Sequence, residues 1–297
     1  MSIAAIVEIA KAEYKKWSTA PPEDQMLRLD AFRLSLEPHI YNYLQEHYAY
    51  EFTTCWQRYT PPKQAQNAIV IVERRAHQNL WFILRNIAWA APHMSVYIFC
   101  SDENINYIRA LLKEKAEHYN IIQAFTGNPS RTRGKKEVDN LLTNPDTYSQ
   151  IQANYILTTE MDAFFRRKIP DSLFVGTYWG CPWAWKPTEP GGGGVTVRHV
   201  PSMIALCKRH RPDPSQDLEG DSQDSWLSKH IASSAASDPA ITYPSLETRA
   251  NLIMESIPSA NPVAVHQFWT FLDNFLTNSD QDTQNLTAFF KNILTFT

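Results

Sequence analysis

Apolar residues recur at helical spacing at the start of the chain: Ile3, Ile6, Ala10, Tyr14 and Trp17, then Met26, Leu29, Phe32, Leu36 and Ile40. The spacing predicts helices over 3–17 and 23–50, separated by Pro21-Pro22, with a kink at Pro38. These form an N-terminal helical extension, residues 1–62, expected to pack on a main body at 63–275. From Ala68 the pattern changes to short unbroken apolar runs alternating with helical periods. Strands are predicted over 68–72, 96–100, 121–125 and 155–159. Helices are predicted over 78–91 and 105–119, with two short ones after Gly127, Pro129 and Gly134. Strands without polar alternation that alternate with helices imply an α/β fold with a mostly parallel sheet covered on both faces. Ligands of such sheets bind beyond the carboxyl ends of the strands. Further on come strand-like pieces at 174–177 and 194–198, a helix over 200–208 and a polar loop over 210–223. A helix over 225–231, a loop to about residue 261 and a helical tail at 276–297 complete the chain.

Composition narrows the class. The 297 residues carry 28 Lys+Arg against 31 Asp+Glu, a formal net charge of -3, without a basic block. Nucleic-acid binding through clustered phosphate contacts is not expected. Four widely spaced cysteines, Cys55, Cys100, Cys181 and Cys207, form no CxxC pair and read as reduced thiols of a cytoplasmic protein. The most apolar long stretch, 80–100, is interrupted by Arg85, Asn86, Pro92 and His93, so no membrane span or secretion signal is expected. Only 9 residues are glycine, and Gly176, Gly180 and Gly191 to Gly194 place most of them in one window.

Candidate chemistry sits at strand ends. Glu160-Met161-Asp162 follows the fourth apolar strand, and two carboxylates one residue apart can turn toward a single divalent ion such as Mn2+ or Mg2+. The same residues could instead cap the strand and open a turn. Glu73-Arg74-Arg75 ends the first strand, where Arg75 could pair with phosphate or stack on a base. Asp102, after the second strand, could contact ribose or belong to a helix N-cap spanning Ser101 to Asn104. Gly180-Cys181-Pro182-Trp183-Ala184-Trp185, followed by the glycine run, combines indole faces that stack on sugar rings with a backbone a ligand can approach. Trp183, Gly192, Gly193 and Gly194 are therefore candidate substrate contacts. Asp224 opens a helix and is either a cap or a general base; His266 ends an apolar run and is either structural or a ligand for metal or pyrophosphate.

The order of these pieces resembles a glycosyltransferase-like family of unassigned function found in large DNA viruses and microbes, and more broadly the GT-A glycosyltransferases. The resemblance covers about Ala68 to Trp269. It rests on AIVIVERR (68–75), LWFILRNI (80–87), VYIFCSDENINYI (96–108), VDNLLTNPDTYSQI (138–151), ILTTEMDAFFRRKIPD (156–171), GTYWGCPW (176–183), GGGGVTVR (191–198), QDSWLSKHI (223–231) and PVAVHQFW (262–269). It implies a GT-A-like, Rossmann-like sheet and transfer of a sugar from a nucleotide-sugar donor, a UDP-sugar, to a hydroxyl of a glycan or other acceptor. It also implies a Mn2+ or Mg2+ ion on Glu160 and Asp162 that holds the donor diphosphate. His266 would join the metal or pyrophosphate, and Asp224 would act as the base of an inverting reaction. Glu73, Arg75 and Asp102 would lie near the nucleotide. The chain departs from the family pattern at Glu160, where Asp is usual, at the all-glycine run, and at Gln223-Asp224, where Glu-Asp is usual. A carbohydrate- or nucleotide-binding module without turnover is the alternative. A nucleotidyltransferase ranks last, because no phosphate-cradling glycine loop follows the first strand.

Overall fold

The computed structural model describes residues 1–17, 21, 24–127, 130–211, 213, 218, 221–272, 275–276 and 281–297. Pro22, residue 23 of the second predicted helix, Pro129, half of the predicted 210–223 loop and the side chains of Met26 and Leu29 lie outside that description. Helices α1 (Ile3–Trp17) and α2 (Gln25–Arg58) lead into β1 (Asn67–Val72), α3 (Leu80–Ala90), β2 (Ser95–Ser101), α4 (Ile105–Leu112) and β3 (Asn120–Phe125). Then follow α5 (Arg131–Leu142), α6 (Pro145–Ser149), β4 (Tyr155–Thr159), β5 (Ala163–Phe165), β6 (Tyr178–Cys181) and β7 (Gly192–His199). The chain continues through α7 (Val200–His210), α8 (Gln223–Ala235), α9 (Leu246–Leu252), β8 (Ile253–Met254), β9 (Ala264–His266) and α10 (Asp282–Ile293).

The main sheet has the order β3-β2-β1-β4-β7-β6. Strands β1 to β4 are mutually parallel, and β7 runs antiparallel to both of its neighbours. This is the α/β, mostly parallel sheet flanked by helices that was expected, with helices at both ends of the chain. Alternate residues of β1 explain why its apolar run is unbroken. Ile69 and Ile71 join a core with α1, α2, α3 and α10, whereas Ala68 and Val70 join a second core with α7 and α8 on the opposite face. Each fully buried Ile or Val contributes about 1.5–3 kcal/mol relative to exposure. Helix α3 is buried along nearly its whole length, so its polar residues need specific partners. Asn86 exchanges two hydrogen bonds with the Phe165 backbone, at 2.7 and 2.8 Å, which docks β5 on the helix.

Several boundaries differ from the sequence reading. Helix α2 continues to Arg58 through Pro38, because Phe52 and Trp56 extend its buried face until Tyr59 turns extended. The predicted 105–119 helix ends at Leu112, where Lys113 takes a left-handed φ of 52° and the chain tightens into a 3-10 segment, Lys113–His118. The strand predicted at 174–177 lies instead at Tyr178–Cys181, since Gly176 with φ 75° turns the chain first. The glycine run was expected to lead into a strand, and its last three members, Gly192 to Gly194, are the first three residues of β7. The apolar run that ends at His266 forms β9 of a second sheet, ordered β5-β9-β8, whose other strands, like helix α9, have no counterpart in the prediction. All four cysteines are free thiols. Among the described residues no helix is long and apolar enough to cross a membrane.

Candidate functional site

The acid triplet is the crossing between the two sheets. Strand β4 ends at Thr159, Glu160 donates its backbone N–H to the Gly194 carbonyl at 2.9 Å, and the chain enters β5 at Ala163. The turn is pinned from outside as well as within. Asn79 donates to the Met161 carbonyl at 3.0 Å and to Glu37 of α2 at 2.9 Å, while Tyr41 of the same helix donates to the Ala163 carbonyl at 3.1 Å. Helix α2 is thus a wall of the site. Burial, then the nearby Asp162 charge, pushes the Glu37 carboxyl up to about 7.

The small sheet brings the other groups to this turn. Ala163 pairs with His266 and Met254 with Val265, so Asp162, Glu255 and His266 each sit at or just beyond a strand end at one point. His266 Nε2 lies 3.3 Å from Asp162 Oδ1 and 3.9 Å from Glu160 Oε2, and its Nδ1 lies 3.1 Å from Glu255 Oε1. Burial opposes charge on His266, but the Asp162 and Glu255 carboxylates outweigh it and raise the imidazole well above its usual range. Burial likewise opposes ionisation of Asp162, and the His266 charge overcomes it, holding that carboxyl below its usual value. Glu160 differs: desolvation within the crowded cleft and the Asp162 charge carry it up to about 7, although half of its side chain faces solvent.

One oxygen of Glu160, one of Asp162 and a ring nitrogen of His266 lie within 4.8 Å of one another. Asp162 Oδ1 is buried and accepts no hydrogen bond. A set of two carboxylates and an imidazole with an orphaned, inward-facing oxygen fits a divalent cation. Glu255 was not anticipated from the sequence. It follows the apolar Leu252-Ile253-Met254 as Glu160 follows β4, the one signal that could have marked it. Glu255 Oε1 lies 3.1 Å from His266 Nδ1, the kind of carboxylate partner that orients a metal-ligating histidine, while Nε2 faces the acids and lies 2.7 Å from Gln267 Nε2. The Glu255→Gln variant is therefore expected to keep the fold and lose 10–100-fold in Mn2+ affinity, measured by titration calorimetry.

The glycine run is the opposite wall. A Cβ on Gly194 would lie 2.4 Å from His266 Cδ2, one on Gly193 2.8 Å from Glu255 Oε2, and one on Gly192 2.7 Å from Asp224 Cβ. The space left by the missing side chains is therefore filled by the site's own residues. Gly193, with φ 77°, donates its N–H to Asp224 Oδ2 at 2.9 Å, and Asp224 Oδ1 accepts from Ser225 N–H and the Ser222 hydroxyl. Asp224 is thus aimed by three donors beside the cluster of Glu160, Asp162 and His266, each oxygen keeping acceptor capacity. Trp183 is buried with its ring edge against Gly192, leaving the neighbouring Trp185 as the exposed indole.

The residues proposed for the nucleotide lie at the ends of β1 and β2. Arg75 folds back on Glu73 in a two-pronged ion pair, with both contacts at 2.9 Å. Asp102 accepts the Gly127 N–H at 2.8 Å and so ties the β3 loop to β2. Asn104 does not cap α4; its amide clamps the Glu73 and Arg75 carbonyls, both at 2.9 Å. Arg74, stacked on Phe125 at 4.5 Å and ion-paired with Glu137, is held in the structure and leaves Arg75 as the more exposed arginine.

Comparison with known proteins adds three findings. Residues 122–266 match the model of a family described as a protein of unknown function (DUF5672), a stretch that holds the acid triplet, the glycine run, Asp224, Glu255 and His266. Among solved structures the chain is similar to mouse xyloside xylosyltransferase 1 in its apo form. That similarity has 10% identity and a TM-score of 0.46 and covers 68% of this chain and 97% of that one. No curated protein sequence matches.

Proposed function

We propose that this protein is a glycosyltransferase that moves a sugar from a nucleotide-sugar donor, a UDP-sugar, to a hydroxyl acceptor. The observation that carries the reading is the convergence of Glu160, Asp162 and His266 beyond the carboxyl end of β4, with Asp224 on the adjacent wall. The sequence resemblance to GT-A enzymes assigns the same positions to this work. Glu160, Asp162 and His266 would hold Mn2+ or Mg2+, which when bound would neutralise the diphosphate of the leaving group. Arg75, exposed at the end of β1, would supply the remaining positive charge, in a chain whose net charge of -3 offers no broad basic surface. Glu73 and Asp102 would flank the nucleoside. Asp224 would accept the proton of the attacking hydroxyl, which gives inversion at the anomeric carbon.

The test is a thermal-shift screen of nucleoside diphosphates and nucleotide sugars with and without Mn2+, followed by assay of nucleoside diphosphate release. A ligand that binds only the folded state raises the midpoint by mass action, by about 2.7 kcal/mol of apparent stability at a hundred times its Kd. A metal-dependent shift with UDP, together with turnover of one donor, is expected. Binding without release from any donor would instead identify a non-catalytic binding module, and no shift with any nucleotide would end the proposal.

A further inference from the structure

We infer that Trp185 is the stacking platform for an uncharged saccharide, so that the acceptor of the proposed transfer is itself a carbohydrate. The inference rests on the glycosyltransferase reading for its chemistry but on separate observations for its site. Trp185 is 59% exposed, whereas Trp183, two residues earlier, is 5% exposed. The two indoles are nearly parallel, 11° apart with centroids at 6.1 Å, and Phe271 backs Trp185 at 5.9 Å and 31°. Trp185 is thus braced by two rings while more than half of its surface is exposed.

The loop that carries this ring is fixed from several sides. Ala184 N–H donates to Ser256 Oγ at 3.0 Å, Ser256 Oγ donates to the Pro182 carbonyl at 3.3 Å, and Arg249 donates to the Pro187 carbonyl at 3.0 Å. Trp183 and Lys186 form a β-bridge across the turn. An indole whose plane is set in advance loses little conformational entropy on stacking, which distinguishes a built platform from a stray exposed side chain.

Position and charge select the occupant. The edge of Trp183 lies 2.6 Å, and Asp224 Cβ 2.7 Å, from the Cβ position on Gly192, so the row of rings starts at the proposed base and runs outward along the acceptor side. The loop charges cancel: Lys186 pairs with Glu189 at 3.3 Å. A flat exposed indole whose loop charges are paired suits the C–H face of a neutral sugar ring.

The experiment compares wild type with Trp185→Ala and Trp185→Phe, whose exposed position spares the core. Saturation-transfer NMR with a panel of neutral mono- and disaccharides reads binding without turnover. Nucleoside diphosphate release is followed with and without saccharide. Expected for Trp185→Ala are loss of saturation transfer and a rise of about 10-fold in saccharide KM, equivalent to about 1.4 kcal/mol, with nucleotide binding and acceptor-free donor hydrolysis unchanged. Trp185→Phe should recover most of both. Saccharide binding equal in wild type and Trp185→Ala, or turnover stimulated only by peptide or lipid hydroxyls, overturns the platform while leaving the transferase reading intact. Absence of nucleotide binding in wild type overturns the parent reading, and the NMR arm still decides the platform.

Discussion

Replacement of Asp162 by Asn should abolish the Mn2+-dependent thermal shift with nucleoside diphosphate and lower donor turnover on the order of 10^3-fold, about 4 kcal/mol of transition-state stabilisation. The substitution keeps the shape of the side chain, so the Gln267 N–H, which donates to the Asp162 carbonyl at 3.2 Å, retains its partner and the turn persists. What is lost is the charge. Asp162 is the group that raises His266 most, so its removal returns the imidazole toward neutrality while withdrawing one metal ligand. Calorimetry with Mn2+ alone separates the loss of metal from any loss of nucleotide contact. Wild-type turnover in Asp162→Asn would show that the cluster is structural.

The second large effect is expected from a single methyl group. Gly194→Ala places a Cβ 2.4 Å from His266 Cδ2, 2.5 Å from His266 Nε2 and 3.1 Å from Glu160 Cβ. The ring cannot retreat, because it is buried and its Nδ1 is engaged by Glu255. Relief must come from β7, at the cost of the Gly194 carbonyl that accepts the Glu160 N–H. Overpacking of this kind costs about 1–3 kcal/mol of stability, and the displaced histidine should lower Mn2+ affinity by about 100-fold or more. Gly127→Ala is the control. Its φ of 66° disfavours a side chain, yet nothing lies within 4 Å, so about 1 kcal/mol of stability should be lost with metal binding untouched. Equal metal affinity in the two variants, read by calorimetry, would refute the wall built by the glycines.

These two sites also show what the sequence could and could not convey. Strands β1, β2 and β4 were legible because each buries both faces, which forces an apolar run that no surface loop would keep, and the half-buried edge strand β3 was legible from its Ile121-Ile122 pair. Glu160, Asp162 and His266 were legible as chemistry, being acids and an imidazole at the ends of such runs. Their convergence was not. It depends on β5, β8 and β9, strands of two or three residues that leave no period to read, and on the β5–β9 pairing between positions about a hundred residues apart. Glu255 stayed hidden for the same reason. The glycine run was legible as unusual, but a bare backbone says only that something approaches, and here the approaching atoms belong to Glu160, Asp224, Glu255 and His266. Helix α2 read as a peripheral element because Glu37 and Tyr41 look like ordinary members of an amphipathic face. The Asn79 link from Glu37 to Met161 and the Tyr41 bond to the Ala163 carbonyl show that they border the acids.

Strand β1 lies between β2 and β4, and α2 leans on the acid turn, yet both precede residue 122, where the family match begins. The stretch held in common with that family is therefore not a self-standing folding unit. Severed there, β4 would present an uncovered row of amide groups beside an apolar strand, the kind of margin along which chains associate. A chain so cut carries every proposed metal ligand and lacks the neighbour that covers this edge, so trimming the protein to its shared segment is expected to give aggregation before chemistry.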